Sequence, residues 1–177
     1  HIAVQAARAG KYVCLFSLEM SNLQMLNRIL AGMTDVDPDH LRISGLTARD
    51  LEKLEKAGKD LEHLPLYIDY KACNTLADIR SKVILKSKKG ECDFMILDYL
   101  HLLGSIRQKN ETQEQVVGRN ITALKQLALD ADCPVLVVSQ VNRASDQRAD
   151  KAHIPVMSDL RDSGTIEQVA DCVFFVY

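Results

Sequence analysis

The sequence predicts an α/β fold built on a mostly parallel sheet with helices on both faces. Short apolar runs (Tyr12–Leu18, Phe94–Asp98, Val135–Ser139) alternate with longer stretches of helical periodicity. The runs are almost continuously apolar rather than alternating, as expected for strands covered on both sides. Each run ends in polar residues, where open α/β sheets bind ligands. At 177 residues and 47% hydrophobic, with no shift in composition, repeat or low-complexity tract, the chain can build one core. A single domain spanning residues 1–177 is expected.

The elements follow in order. His1–Arg8 is Ala-rich and reads as a helix closed by Gly10, and the strand Tyr12–Leu18 comes almost at once. Ser21 and Gln24 form a capping-box pattern opening a helix with Leu23, Met25, Leu26, Ile29 and Leu30 on its apolar face, ending near Gly32. A short helix start is expected at Asp37–Leu41. Thr47 then caps a helix to about His63, whose Glu52/Lys56 and Glu55/Lys59 pairs give a solvated face. After Pro65, Leu66–Asp69 reads as a short strand. Asn74 or Thr75 opens a helix to about Lys88 that buries Leu76, Ile79, Val83 and Ile84. Lys86, Lys88 and Lys89 suit the negative end of that helix dipole, a better reading than a DNA-binding patch. Gly90 closes the helix, the strand Phe94–Asp98 follows, and Gly104–Thr112 reads as an exposed loop. A long helix, Gln113–Ala131, leads to the strand Val135–Ser139. The polar stretch Asn142–Ser158 is long enough to be a functional or mobile loop, and a last apolar strand is expected from Cys172 to Tyr177.

Charge and cysteines exclude several classes. A net charge of −2 argues against a uniformly basic nucleic-acid coat. Cys14, Cys73, Cys92, Cys133 and Cys172 are irregularly spaced, with no zinc-binding pattern. They read as reduced structural thiols of a cytoplasmic protein, Cys14 and Cys172 lying inside strands. No signal-peptide pattern opens the chain, and no apolar run approaches the roughly 18 residues of a membrane span.

The strand ends carry the chemistry. Glu19, where the first strand gives way to a helix, can orient or deprotonate a water attacking a terminal phosphate; an acid there also favours the positive end of the helix dipole. Asp98 follows four apolar residues in a Walker-B-like run and offers hard oxygen to Mg²⁺, although strand-terminal turns use Asp too. The amide of Gln140 can donate to a γ-phosphate or satisfy loop backbone groups. The turn Ser158–Gln168 combines Arg161, Asp162 and Gly164, a set suited to phosphate oxygens of DNA and equally to an ordinary helix start capped by Ser163 or Thr165. Together these outline a nucleotide-hydrolysing site. In such proteins a glycine-rich phosphate-binding loop precedes a helix like His1–Arg8, yet no G-x-x-x-x-G-K-[ST] occurs in these residues. The expectation is a fragment cut just after that loop.

Five segments in register resemble one family: FSLEM (Phe16–Met20), LRISGLT (Leu41–Thr47), LDYLHLL (Leu97–Leu103), VSQVNR (Val138–Arg143) and MSDLRDSGTIEQVAD (Met157–Asp171). Across essentially the whole chain it is similar to the C-terminal, RecA-like P-loop NTPase core of the DnaB-type bacterial replicative helicases. The resemblance implies an ATP- and Mg²⁺-dependent homohexameric motor that translocates on single-stranded DNA and unwinds duplex during replication. It further implies a nucleoid-associated protein with primase and a helicase loader as partners. By motif, Glu19 is similar to the family's catalytic glutamate, Asp98 to its metal-associated aspartate and Gln140 to its γ-phosphate sensor. Arg161, Asp162 and Gly164 match its DNA-backbone loop, where the family more usually has Glu in place of Asp162. Arg107, Lys109, Arg143 and Arg148 are further candidates for phosphate contacts in loops lining a central channel. The phosphate-binding loop upstream and the arginine finger downstream lie outside the sequence, so these residues alone are expected to be inactive. Two alternatives stand beside this reading: a RecA-type recombinase-like ATPase, which the SLEM and LRDSGTIEQ segments argue against, and a non-catalytic scaffold of the same fold.

Overall fold

The computed structural model describes residues 1–37, 40–41, 45–70, 75–104, 110–141, 154–160 and 164–177. Its elements are α1 (Ile2–Arg8), β1 (Val13–Ser17), α2 (Asn22–Thr34), α3 (Ala48–Glu62), β2 (Leu66–Asp69), α4 (Leu76–Lys88), β3 (Phe94–Asp98), α5 (Gln113–Ala131), β4 (Val135–Val137) and α6 (Gly164–Val169). Single 3₁₀ turns cover Leu100–Leu102 and Met157–Asp159.

Among the described residues the four strands are all parallel, in the order β2-β1-β3-β4. Alternation along each strand sends successive side chains to opposite faces. Val13 and Leu15 of β1 and Ile96 of β3 pack with Ala3, Val4 and Ala7 of α1 and Met25 and Ile29 of α2. Cys14, Phe16, Met95 and Leu97 point the other way, into a core with Ile79 and Val83 of α4 and Val117, Leu124 and Leu127 of α5. Helices therefore cover both faces, as the sequence predicts.

Local chemistry sets the helix ends. Ser21, Thr47, Thr75 and Thr112 each accept the N3 backbone N–H while the N3 side chain returns to the cap, giving four reciprocal capping boxes. Gly10 and Gly90 follow α1 and α4 with φ of 80° and 71°, a region open to glycine at little cost. Gly118 on α5 serves close approach instead: a Cβ there would lie 2.8 Å from Thr165 Oγ1 on α6.

Several expectations need correction. The second helix continues past Gly32 to Thr34 and ends where Asp35 takes a left-handed conformation with φ 58°. Its buried face is Met25 and Ile29, whereas Leu23 and Leu26 are exposed. Strand β4 stops at Val137 rather than Ser139. Cys172–Tyr177 is not a strand: no ladder partner flanks it among the described residues, and Cys172 is exposed. Only Val173 and Phe175 of that segment pack on the core.

Candidate active site

The parallel register brings the strand ends to one rim. Ser17, last in β1, pairs with Asp98, last in β3. The Leu18 N–H donates to the Asp98 carbonyl at 2.7 Å, which joins the strands one step further. On the other side of β3, the Val138 N–H donates to Leu97 O at 2.9 Å and the Leu100 N–H to Val138 O at 3.0 Å. The backbones at 17–19, 98–100 and 138–140 are thus consecutive along the carboxyl edge of the sheet. The Asp98–Tyr99 peptide is cis.

Alternation places Asp98 on the α1 face, because Ile96 two residues earlier packs there, and its register partner Ser17 shares that face. Asp98 is half-buried. Glu19 follows in a bend and is exposed, and Gln140, beyond β4, is exposed as well. The capping box at Ser21 fixes the start of α2 two residues after Glu19, so the acid sits in a short, pinned connection. Glu19, Asp98 and Gln140 therefore arise from three adjacent strand ends.

Two side chains that the sequence reading gave no role stand out. The Ser17 side chain is fully buried and its Oγ has no hydrogen-bond partner among the described residues. The Ser139 Oγ is buried and unpartnered too. Buried hydroxyls are ordinarily satisfied, and this one, on the same sheet face as Asp98, is available to a polar partner. The available signal was parity: Ser17 continues the Val13, Leu15 series, on Asp98's side of the sheet. Ser139 continues the Val135, Val137 series and lines an apolar cavity of about 430 Å³ with Leu100, Ile121 and Leu160.

The segment expected to touch DNA is partly described. Gly164 is the first residue of α6 and is exposed. Arg107, Lys109, Arg143, Arg148, Arg161 and Asp162 lie outside the described residues. An antiparallel bridge, Val141 to Leu160, joins the residue after Gln140 to the residue before Arg161. Nearby, Asp159 is buried and its carboxylate accepts the Val156 N–H at 2.8 Å. Among the described residues no cluster of three or more His, Cys, Asp or Glu side chains is arranged to hold a metal, and no helix is long and apolar enough to cross a membrane.

Known proteins are similar to this chain in sequence and in fold. The replicative DNA helicase DnaB of Geobacillus stearothermophilus is 36% identical over 172 residues, 97% of this chain. The replicative DNA helicase DnaC of Bacillus subtilis is 34% identical over the same length. The chain spans 37% of the length of each. Among solved structures, an isolated ATPase domain superposes with a TM-score of 0.86 at 28% identity, over 96% of this chain and 61% of that one. A DnaB-like replicative helicase, described with its interactions with primase, superposes with a TM-score of 0.84 at 28% identity, over 93% of this chain and 40% of that one. The fold is accordingly the RecA-like α/β core expected from the sequence. The sequence model of the DnaB-like helicase C terminal domain matches residues 1–177 from end to end. With that match over the whole length and its strand ends gathered on one rim, the chain belongs to the DnaB-like helicase C-terminal domain family.

Proposed function

We propose that these residues form part of the nucleotide-hydrolysing motor of a replicative DNA helicase, which couples ATP hydrolysis to translocation on single-stranded DNA and duplex unwinding. The observation that carries it is the register pairing of Asp98 with Ser17 next to Glu19, in a chain of this family. ATP and Mg²⁺ fit the residues present. A half-buried carboxylate and a buried, unpartnered hydroxyl on one face of the sheet offer hard oxygen atoms, the donor type this ion prefers.

Each residue has its own task. Asp98 would hold the ion through its carboxylate, and the Ser17 hydroxyl on the same sheet face would offer it a second hard oxygen. When bound, the ion supplies neutralisation of the charge on the phosphate oxygens. Glu19, on the exposed side of the rim, orients a water and accepts its proton. Gln140 donates its amide N–H to a terminal phosphate oxygen. The Val141–Leu160 bridge offers a short mechanical path from that amide towards the segment of Arg161, Asp162 and Gly164, whose cation and backbone hold DNA phosphates. Arg107 and Arg143 add phosphate contacts from their loops.

The intact protein is proposed to work as a homohexamer in the bacterial cytoplasm at the nucleoid, with primase and a helicase loader as partners. The structure of a DnaB-like helicase with its primase interactions supports the first of these partners. The test is a chimera in which these residues replace the matching segment of the Geobacillus DnaB. It should hydrolyse ATP and unwind a forked duplex. A folded, hexameric chimera that hydrolyses ATP without unwinding would reject the helicase reading, and one that does neither would reject the motor.

A further inference from the structure

At the opposite edge of the sheet from Asp98, three thiols meet. Cys14 is the second residue of β1, Cys92 lies two residues before β3 and Cys133 two residues before β4, and all three are buried. The Cys92 and Cys133 sulfurs are 3.7 Å apart, in van der Waals contact. Cys14 Sγ donates to the Glu91 carbonyl at 3.8 Å, beside Cys92.

The backbone suits a covalent link. In the ladder Met95 pairs with Val135 and the Met95 N–H donates to Pro134 O at 3.0 Å, so Cys92 lies one residue off the position opposite Cys133. Ideal neighbouring strands are about 4.8 Å apart, and a one-residue offset at that spacing falls inside the Cα window of about 4.4–6.8 Å that disulfides occupy. Rotation about the side-chain torsions then closes the remaining gap between the sulfurs.

The three thiols are also unequal. Contact with the Cys133 sulfur, and then with that of Cys14, lowers the Cys92 thiol from its ordinary value, with burial and the Asp93 charge opposing and the Lys86 ammonium helping. Donation to Cys92, reinforced by burial, pushes Cys14 and Cys133 up. Cys92 is the thiol that this direction favours as thiolate, the reactive form. Exposed Asp93 and Asp132 border it, so the cluster sits just under the surface.

We propose that Cys92 and Cys133 form a peroxide-driven dithiol–disulfide pair that staples β3 to β4 at the amino edge of the sheet. The Cys92 thiolate attacks one oxygen of hydrogen peroxide; an S–O bond forms, the O–O bond breaks, and the departing hydroxide takes a proton to become water. The Cys133 thiol then gives up its proton and attacks the sulfenic sulfur. The S–S bond forms, the S–O bond breaks, and a second water leaves. Two electrons pass from the two sulfurs to the peroxide, and a small dithiol reverses the step by exchange.

The experiment uses the full chain, reduced and then freed of reductant. It is treated with hydrogen peroxide, either folded or in urea, blocked with iodoacetamide under denaturing conditions, digested without reduction and mapped by mass spectrometry. A dithiothreitol-sensitive peptide joining Cys92 to Cys133 is expected, forming faster in the folded chain than in urea. In a Cys73→Ser/Cys172→Ser background, free thiols per denatured chain should fall from three to one. Both cysteines still alkylated after oxidation, a Cys14–Cys92 link instead, Cys92 carried on to sulfinic acid beside a free Cys133, or a link formed only in urea would each overturn the proposal.

Discussion

Ser17 faces Asp98 across the parallel β1–β3 register, and the buried hydroxyl of the first has no partner among the described residues while the carboxylate of the second is half exposed to the rim. That pairing makes two opposite demands on one side chain. Ser17→Ala removes an unsatisfied buried hydroxyl, so urea unfolding of the 177-residue chain should show unchanged or higher stability, by up to about 1 kcal/mol. In the chimera the same change should slow ATP hydrolysis and raise the Mg²⁺ concentration needed for half-maximal rate. A stability loss comparable to a core truncation would show that the hydroxyl is satisfied after all.

Glu19→Gln in the chimera should lower the hydrolysis rate by about 10²- to 10⁴-fold, the usual worth of a positioned general base. Nucleotide affinity should hardly change, because the amide keeps the shape of the acid. Asp98→Asn should instead weaken Mg²⁺ dependence and rate together. Steady-state assays across a metal titration separate the two, and a Glu19→Gln chimera hydrolysing at the parent rate would remove Glu19 from the chemistry.

These 177 residues by themselves should release no phosphate from ATP above background, since the sequence holds no G-x-x-x-x-G-K-[ST] cradle. A coupled phosphate-release assay, with and without single-stranded DNA, is the check. Turnover that survives removal of a trace contaminant would count against the placement of the site.

Alkaline pH should loosen the far edge of the sheet. Asp69, buried at the end of β2, accepts from Lys82 and, at 3.3 Å, from Tyr67. Hydrogen bonding to Asp69 raises Lys82 above its ordinary value of 10.5, and burial first, then the Asp69 charge, raises Tyr67 above 10.0. Both groups hold their protons more tightly when folded. Their contribution is therefore complete below the unfolded values and is lost as pH climbs through the folded ones. Urea midpoints should fall above about pH 10, and Asp69→Asn should flatten that decline while costing about 1–3 kcal/mol at neutral pH.

Gly118→Ala should destabilise the α5–α6 contact, because its new Cβ would press on Thr165 Oγ1 at 2.8 Å and Cβ at 3.2 Å. Overpacking of this sort costs about 1–3 kcal/mol, partly offset by about 1 kcal/mol of helix propensity. Adding Thr165→Gly should recover more stability than the sum of the single effects allows. Additive behaviour in that double-mutant cycle would show that the two helices do not depend on this contact.

Much of the fold could be read locally. The capping partners Ser21 with Gln24, and the cap Thr47, are chemistry within one turn, and the structure has each where the sequence put it; of the two caps open for the fourth helix, Asn74 and Thr75, it uses Thr75. The apolar runs ending at Asp69 and Asp98 are strands with those ends. What escaped depended on neighbours. Valine and phenylalanine at 173–176 have strand propensity, but a strand needs a ladder partner, and Phe174 and Val176 are 81% and 96% exposed. Leu23 and Leu26 fit a helical stripe as well as Met25 and Ile29 do, and only the position of α1 decides which is buried. Glu19, Asp98 and Gln140 were legible as strand-end residues; that Ser17 sits opposite Asp98 required the strand order, which no spacing reveals.

The four reciprocal caps have a wider meaning for how such a chain can vary. Each long helix announces its own first turn through a serine or threonine answered three places later, independently of the length of the segment leading into it. The point at which the chain turns helical is thereby written into the helix itself at Thr47, Thr75 and Thr112, rather than into the connection before it.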